Sequence, residues 1–437
     1  MDINVIGGGL AGVEAAYQIA TRGHDVSLFE MRPVRYTPAH QTSFLSELVC
    51  SNSFKSQDFT NAHGLLKEEL RRLGSIIMRK ADDASIPGGK ALVVDRELFA
   101  KMVTEEIEAH PRINVVRKEI EDIPGGIVIV ATGPLTSNSF AEKLGKITGT
   151  DNLFFFDAIS PIVDGETIDT NKAFFGSRYM EGSDDYLNCP MSKEEYDTFY
   201  DALIDAKKVD LRQFEKILFF EGCLPVEIMA ERGRQTLAYG PMKPVGLKDK
   251  ITGREPHAVL QLRRENKSGT MYNMVGFQTK LTYTEQNRVF RMIPALKNSV
   301  FLRYGSIHRN TYINSPALLD DSLRLKGHEN IFFTGQITGV EGYVESTAMG
   351  LIAGISAHIS TTEQVFSPPP GDTCVGALLN YITSQNDNFQ PMSINFGLVK
   401  NYKKREKDRV VKNSLQEISA WKEGIEGLIG GDRWSQG

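Results

Sequence analysis

Ile3-Asn4-Val5-Ile6-Gly7-Gly8-Gly9-Leu10-Ala11-Gly12 opens the chain and decides its fold. A short apolar run stops at a glycine turn in which Gly7, Gly9 and Gly12 satisfy G-x-G-x-x-G, and Leu10 to Thr21 then reads as a helix. A second strand, Asp25-Val26-Ser27-Leu28-Phe29, ends on Glu30. Strand, glycine turn, helix, strand and acid together form the context that a dinucleotide site requires. The first glycine permits the tight turn, the second lets backbone approach a pyrophosphate, and the third lets helix and strand pack closely. The helix N-terminus then presents unpaired N–H groups to the phosphates. Glu30 stands 18 residues beyond Gly12, close to the usual ~20, and is expected to accept ribose hydroxyls. The segment predicts a bound adenine dinucleotide, held by Gly7, Gly8, Gly9, Leu10, Ala11, Gly12 and Glu30.

Further along, Gly126-Ile127-Val128-Ile129-Val130-Ala131-Thr132-Gly133-Pro134 reads as a buried strand ending in Thr-Gly. Near the other end, Asn330-Ile331-Phe332-Phe333-Thr334-Gly335-Gln336 is another, followed by Ile337-Thr338-Gly339-Val340-Glu341-Gly342-Tyr343. A helix of small residues, about Val344 to His358, carries Ala348, Gly350, Ala353, Gly354 and Ala357. Small side chains let a helix lie close to a flat cofactor or to a neighbouring strand. A nucleotide fold that opens at residue 3 and closes beyond residue 330 has its other domain inserted within it. That layout resembles two-domain FAD enzymes, in which the late strand and helix hold the flavin end; a structural βα unit is the plainer reading. The expected fold class is α/β: a Rossmann-like FAD-binding domain over 1–150 and 300–366, a smaller inserted α+β domain over 151–299, and a helical C-terminal segment over 367–437. On this reading Gly133, Gly335, Gln336, Gly342 and Tyr343 join the cofactor-binding set.

Elsewhere the signals are local. Asp95 is a natural N-cap for a helix running to about Ala109, after a strand at Ala91 to Val94. Ser192-Lys193-Glu194-Glu195 fits a capping box before a helix from Tyr196 to about Asp205. Alternating runs at His257 to Arg264 and Met271 to Gln278 read as neighbouring strands with Gly269 between them, and Glu285 to Met292 reads as a helix. Ser367-Pro368-Pro369-Pro370-Gly371 marks a boundary, and helices are expected at Thr373 to Ser384 and about Ser414 to Gly427. The 437-residue length suggests two large domains or three smaller ones. Four cysteines exclude a disulfide scaffold and fit a reducing, cytoplasmic compartment. No run approaches the ~18 apolar residues of a membrane span, and no secretory signal is expected at the N-terminus. A net charge of −5, from 50 basic and 55 acidic residues, excludes no partner, since binding depends on where the basic residues lie.

Two cysteines stand in unusual settings. Ser46-Glu47-Leu48-Val49-Cys50-Ser51-Asn52-Ser53 falls in the segment 31–61, too long for an idle loop in a compact domain. Cys223 lies in Phe219-Phe220-Glu221-Gly222-Cys223-Leu224-Pro225, between glycine and proline at the end of an apolar run. Each is either a buried small hydrophobe or a reactive thiol. Cys189 and Cys374 read as buried hydrophobes. No C-x-x-C and no Cys/His cluster at metal spacing is present, so no metal is expected.

The glycine turn, Leu48-Val49-Cys50-Ser51-Asn52-Ser53, Glu221-Gly222-Cys223-Leu224-Pro225 and Gly335-Gln336-Ile337-Thr338-Gly339-Val340-Glu341-Gly342-Tyr343 together resemble one family. It is the bacterial folate- and FAD-dependent tRNA (uracil-5-)-methyltransferases, and the resemblance covers nearly the whole chain. A sister family of larger flavoproteins, acting on wobble uridines, shares the glycine turn and a Gly-Gln-Ile motif but has a substantial extra C-terminal region. Many other FAD enzymes carry an acid where Gln336 stands. The alternatives are that wobble-uridine family, a small-molecule flavin oxidoreductase, and a flavoprotein that binds tRNA without modifying it.

The resemblance implies methylation of C5 of the T-loop uridine in tRNA. The methylene group comes from 5,10-methylenetetrahydrofolate, the reducing equivalents come from reduced FAD, and NADH or NADPH restores the flavin. It implies that Cys223 attacks uracil C6 and that Cys50 is the acid/base thiol at the flavin. Tyr343 is expected to stack on a flat ring or to belong to the core. The target base must leave its stack to be reached, and tRNA phosphates need a basic surface. The candidates are Lys400, Lys403, Lys404, Arg405, Lys407 and Arg409, with Arg263, Arg264, Arg288, Arg291, Arg303 and Arg309 in the inserted domain. Either set also reads as solvated charged faces.

Overall fold

The opening strand, Ile3–Ile6, stands at the centre of a five-stranded parallel sheet. Across the sheet the order is Ile331–Phe333, Ile127–Val130, Ile3–Ile6, Val26–Glu30 and Ile113–Arg117. Ile3 lies opposite Val26 on one side and Ile127 on the other. This computed structural model describes residues 2–149, 153–180, 182–209, 224–249, 253–386 and 389–431, without the side chains of 153–156, 309, 404 and 428–431. The first and last strands of the nucleotide fold are thus two positions apart in one sheet although over 300 residues separate them in sequence. Strands buried on both faces read as apolar runs without alternation, and Ile127–Val130 is buried throughout.

The glycine turn leads into the first helix, Leu10–Thr21, which packs against the late helix, Tyr343–Ile359. Sixteen of the late helix's seventeen residues are buried, so its small residues serve helix-on-helix contact. A Cβ on Gly354 would come within 2.7 Å of the Ala15 carbonyl, and one on Gly350 would overlap the Ala11 carbonyl.

The inserted part is built on a six-stranded antiparallel sheet, with Ala258–Arg264 beside Met271–Met274 and Gly269 at φ +69° in the turn between them. Phe301–Arg303 forms its edge. The strands through which the chain leaves and re-enters the nucleotide fold, Leu153–Ile159 and Ser306–Tyr312, pair antiparallel with each other. A third, three-stranded sheet joins Ser53–Ser56 to Ala91–Val94 and Ser85–Ile86.

The caps at Asp95 and Ser192 form, the latter as a full capping box. That box starts its helix at Lys193, three residues before the expected Tyr196. The last helix, Lys407–Gly431, begins earlier than the expected Ser414, and Val410 and Val411 in its first turns already pack against the core. Ile418, Trp421 and Ile425 join the same core cluster as the nucleotide sheet. Among the described residues no helix is long and apolar enough to cross a membrane.

Candidate functional site

Two cavities meet at the carboxyl ends of the parallel strands. The first is lined by the glycine turn, Glu30, Gly133, Gly335 and Gln336. Gly7 adopts φ +113°, and a Cβ there would overlap the Ala131 carbonyl; on Gly12 it would overlap the carbonyl of Gly7. Gly9, by contrast, has nothing within 4 Å of a Cβ position. The first and third glycines therefore serve packing, while the second leaves backbone open to the cavity. The first helix has no side-chain cap and no acid in its first turn, so its leading N–H groups suit an anion.

Glu30 reaches this cavity, but its carboxylate is already engaged. Oε2 accepts from the Gly8 N–H at 3.1 Å and from Arg32 Nη2 at 3.0 Å. Oε1 accepts from the Arg32 N–H at 3.0 Å and from Arg32 Nε at 2.9 Å. Burial opposes its charge, but the Arg32 contacts prevail and hold its pKa below the ordinary value. Arg32, itself 1% exposed, also donates to Glu47 at 3.0 Å. No motif marks this partner, a lone arginine two residues past the strand Val26–Glu30.

The second cavity has a volume of about 560 Å³ and shares Val49, Pro134, Leu135, Gln336 and Tyr343 with the first. Cys50, half-buried, stands in its wall together with Ser51, Lys55, Gly342 and Glu345. Tyr343 Oη accepts from the Cys50 N–H at 2.9 Å and the Ser51 N–H at 3.1 Å. Its ring lies 5.7 Å from that of Phe54. Tyr343 thus fixes the cysteine loop through its hydroxyl, a role that its position after Gly342 did not reveal. Burial pushes its phenol pKa up.

Carboxylates crowd the far side of this cavity. Gln336 Nε2 donates to Glu341 Oε2 at 2.6 Å, and burial together with Asp157 pushes Glu341 up to about 8. Glu345, fully buried, faces Lys55 Nζ at 3.4 Å and His63 Nε2 at 3.7 Å. Lys55 also donates to Ser393 Oγ at 2.9 Å. Burial and Lys55 pull His63 down to about 4, so it is neutral near pH 7. Gln336 and Glu341 belong to the Gly335–Tyr343 motif, but Lys55, His63, Asp157 and Glu345 stand at no motif spacing with it. They converge only through the fold.

Cys223 lies outside the described residues. The chain resumes at Leu224, and the Val226 N–H donates to the Gln278 carbonyl at 2.7 Å, Gln278 being a wall residue of the second cavity. Cys189 and Cys374 are fully buried, and burial raises both thiol pKa values, in keeping with their reading as small hydrophobes. Among the described residues no group of three or more His, Cys, Asp or Glu is placed to hold a metal ion.

The basic candidates divide. Arg263 is 7% exposed and donates to Asn52 Oδ1 at 2.9 Å and Ser51 Oγ at 3.1 Å, and Arg303 donates to the Val49 carbonyl at 3.2 Å. These two face the cysteine loop rather than solvent, which corrects their expected place on an RNA-binding surface. Arg264 lies over the Phe175 ring, 5.5 Å from its centroid. Arg288 pairs with Glu285, and Arg291 donates to the Ser299 carbonyl at 2.9 Å. Arg309 sits on the linking strand Ser306–Tyr312. Lys400, Lys403, Arg405 and Arg409 are exposed, whereas Lys407 is half-buried and donates to the Thr60 carbonyl at 3.2 Å.

The sheet, glycine turn and inserted domain define a dinucleotide-binding α/β protein of the glucose inhibited division protein A family, whose model matches residues 2–364. GidA of Aquifex aeolicus has the same fold, with a TM-score of 0.72 at 16% identity over 97% of this chain and 73% of that one. Closer in sequence are proteins named methylenetetrahydrofolate–tRNA-(uracil-5-)-methyltransferase TrmFO. Those of Syntrophus aciditrophicus and Bacillus cereus are 54% and 55% identical, each over 96% of this chain and over 97% and 96% of their own. That of Aquifex aeolicus is 52% identical over 95% of both chains. The chain belongs to this methyltransferase family.

Proposed function

We infer that this protein methylates C5 of a tRNA uracil, the T-loop uridine, using 5,10-methylenetetrahydrofolate as carbon donor. The observation that carries the reading is the continuity of the two cavities. A dinucleotide laid along the glycine turn would reach towards the walls they share, where Tyr343 stands and beyond which Cys50 lines the second cavity. The residues fit FAD: Gly7, Gly9 and Gly12 shape an uncapped helix N-terminus that would take its diphosphate, Glu30 would stand on its ribose side, and Gly133, Gly335, Gln336 and Tyr343, with Gly342 of the second cavity, would extend the wall towards its ring. When bound and reduced, by NADH or NADPH, the flavin supplies the reducing equivalents that turn a methylene into a methyl group. The residues of the chain supply the rest.

Uracil C5 is a poor nucleophile until a group adds at C6. A thiolate does this well, forming an S–C6 bond and leaving an enolate that attacks the donor carbon. The resemblance assigns that attack to Cys223. Once the methylene carbon is attached, the C5 proton passes to a base, assigned to Cys50, as the carbon's bond to the folate nitrogen breaks and tetrahydrofolate leaves; with the carbon reduced to methyl, expulsion of the Cys223 thiolate restores the ring. The tRNA is engaged where it circulates, in the cytoplasm.

The test combines tRNA lacking the T-loop methyl with labelled methylenetetrahydrofolate, NADPH and the flavin-loaded protein. Label is expected at uracil C5. RNA that binds without acquiring label overturns the assignment and leaves a tRNA-binding flavoprotein. Cys223→Ala is expected to abolish labelling while retaining flavin.

A further inference from the structure

Three arginines from separate elements converge on the loop that carries Cys50. Arg96, at the start of the helix Arg96–Ala109, donates through Nη1 to the Leu48 carbonyl. Arg303, on the edge strand Phe301–Arg303, donates to the Val49 carbonyl at 3.2 Å. Arg263, on Ala258–Arg264, takes Ser51 Oγ at 3.1 Å and Asn52 Oδ1 at 2.9 Å. Cys50 is bracketed on both sides by guanidinium contacts.

The charges around this loop do not balance. Glu265, 1% exposed, accepts from Arg96 Nε at 2.7 Å and is the carboxylate that acts on both Arg96 and Arg303. Nε and Nη2 of Arg303 and Nη2 of Arg96 are shielded from water and make no hydrogen bond. A shielded cation without a counter-charge is costly, so the cluster calls for a second anion. Tyr343 does not supply it, because burial keeps its proton on. His308 adds no charge of either sign near pH 7, since burial and Arg303 hold it down to about 4. Burial and Arg96 draw Arg303 down to about 10, which still leaves it a cation at neutral pH. The other titratable groups of the cavity, Lys55, His63, Asp157, Glu341 and Glu345, line its walls with Cys50.

We propose that Arg303, backed by Arg96, holds Cys50 as a thiolate and so positions it as the base that takes the uracil C5 proton. The second half of this statement rests on the methyltransferase reading; the first does not. The thiolate accepts the proton at Sγ and becomes a thiol as the C5–H bond breaks, and the electron pair stays in the ring. Neither arginine takes part in a bond. They are positioning residues, and an adjacent guanidinium is a known way to depress a thiol's pKa.

The test uses flavin-loaded protein carrying Cys223→Ser, with no tRNA or folate present, so it does not depend on methylation. The rate of iodoacetamide alkylation at Cys50, read on its peptide by mass spectrometry, is followed from pH 5.5 to pH 9. The midpoint is expected below about 7.5, against ~8.5 for an ordinary thiol. Arg303→Met is expected to raise it by about one pH unit, and Arg303→Lys to restore most of the depression. Should Arg303→Met lose flavin or fold, Arg96→Met provides the same reading. A starting midpoint at or above 8.5, or one that neither charge-removing variant moves, overturns the proposal. A depressed midpoint in a protein that fails to label tRNA would keep the arginine–thiolate pairing and discard only the methylation step.

Discussion

At the scale of single residues, Tyr343 shows how one hydroxyl joins the two halves of the site. Its Oη accepts from two consecutive N–H groups, those of Cys50 and Ser51, while its ring forms wall in both cavities. Tyr343→Phe keeps the ring and leaves those two donors without their acceptor. An unsatisfied buried donor costs about 1–3 kcal/mol, so thermal stability is expected to fall within that range. Flavin content is expected to stay near that of the unaltered protein, since the ring is retained. Turnover is expected to fall on the order of tenfold or more, because misplacing a reacting group by about an ångström is costly in rate. Equal kcat in the two proteins, measured with saturating tRNA and folate, would show that the hydroxyl does not hold the cysteine in place.

At the scale of elements, the two C-terminal helices are pinned to the nucleotide domain by one carboxylate. Glu69, on the helix Ala62–Arg72, accepts from the Cys374 N–H at 2.8 Å and the Val375 N–H at 2.9 Å, at the start of the helix Cys374–Thr383. It also takes the hydroxyl of Ser414 on the helix Lys407–Gly431. Burial outweighs these hydrogen bonds and raises its pKa from 4.5 to about 7. A folded-state carboxyl pKa above the unfolded value means that the native state binds the proton more tightly. The associated stability is present below pH 4.5, is lost as pH rises through about 7, and stays lost above that. At about 1.4 kcal/mol per pH unit between those two values, the swing is roughly 3 kcal/mol. The stability of the native chain is therefore expected to fall relative to Glu69→Gln between pH 5 and pH 8. Parallel unfolding curves for the two proteins across that range would refute the assignment. No motif marks Glu69, which sits within the unremarkable polar run Lys67-Glu68-Glu69. Its partners lie over 300 residues away and meet it only in the folded chain.

At the scale of the molecule, what was legible in the sequence is what is local. Gly7 to Gly12, the Asp95 and Ser192 caps and the paired strands after His257 each carry their signal within about a dozen residues. Their geometry follows from backbone sterics and hydrogen bonding. Burial of charge carries no such signal: Arg263 and Arg303 read as surface cations yet close the cysteine loop, and Arg32 occupies the Glu30 carboxylate unannounced. This sorting narrows where tRNA phosphates can rest. With Arg263 and Arg303 turned inward and Arg288 and Arg291 engaged by neighbours, the exposed cations at Lys400, Lys403, Arg405 and Arg409 gain weight. They also follow in sequence from a wall of the second cavity. Ser393 is one of its wall residues, Phe396 stacks on Tyr402 at 4.9 Å, and Lys407 binds the Thr60 carbonyl near the Lys55–His63 wall. Glu406 engages Lys403 and Arg409, and with Asp408 makes two acids against the six basic residues Lys400, Lys403, Lys404, Arg405, Lys407 and Arg409, so the patch keeps its positive sign. Each lysine or arginine that neutralises a phosphate contributes about 0.7–0.9 to the slope of log K against log salt. Reversing Lys400 and Arg405 together to glutamate is expected to weaken tRNA binding at least tenfold at low salt and to reduce that slope by about 1–2. Turnover at saturating tRNA is expected to change little, since neither residue lines the cavity that holds Cys50. Filter binding over a salt series decides the matter: an unchanged affinity with an unchanged slope would remove this end of the last helix from the tRNA-binding surface.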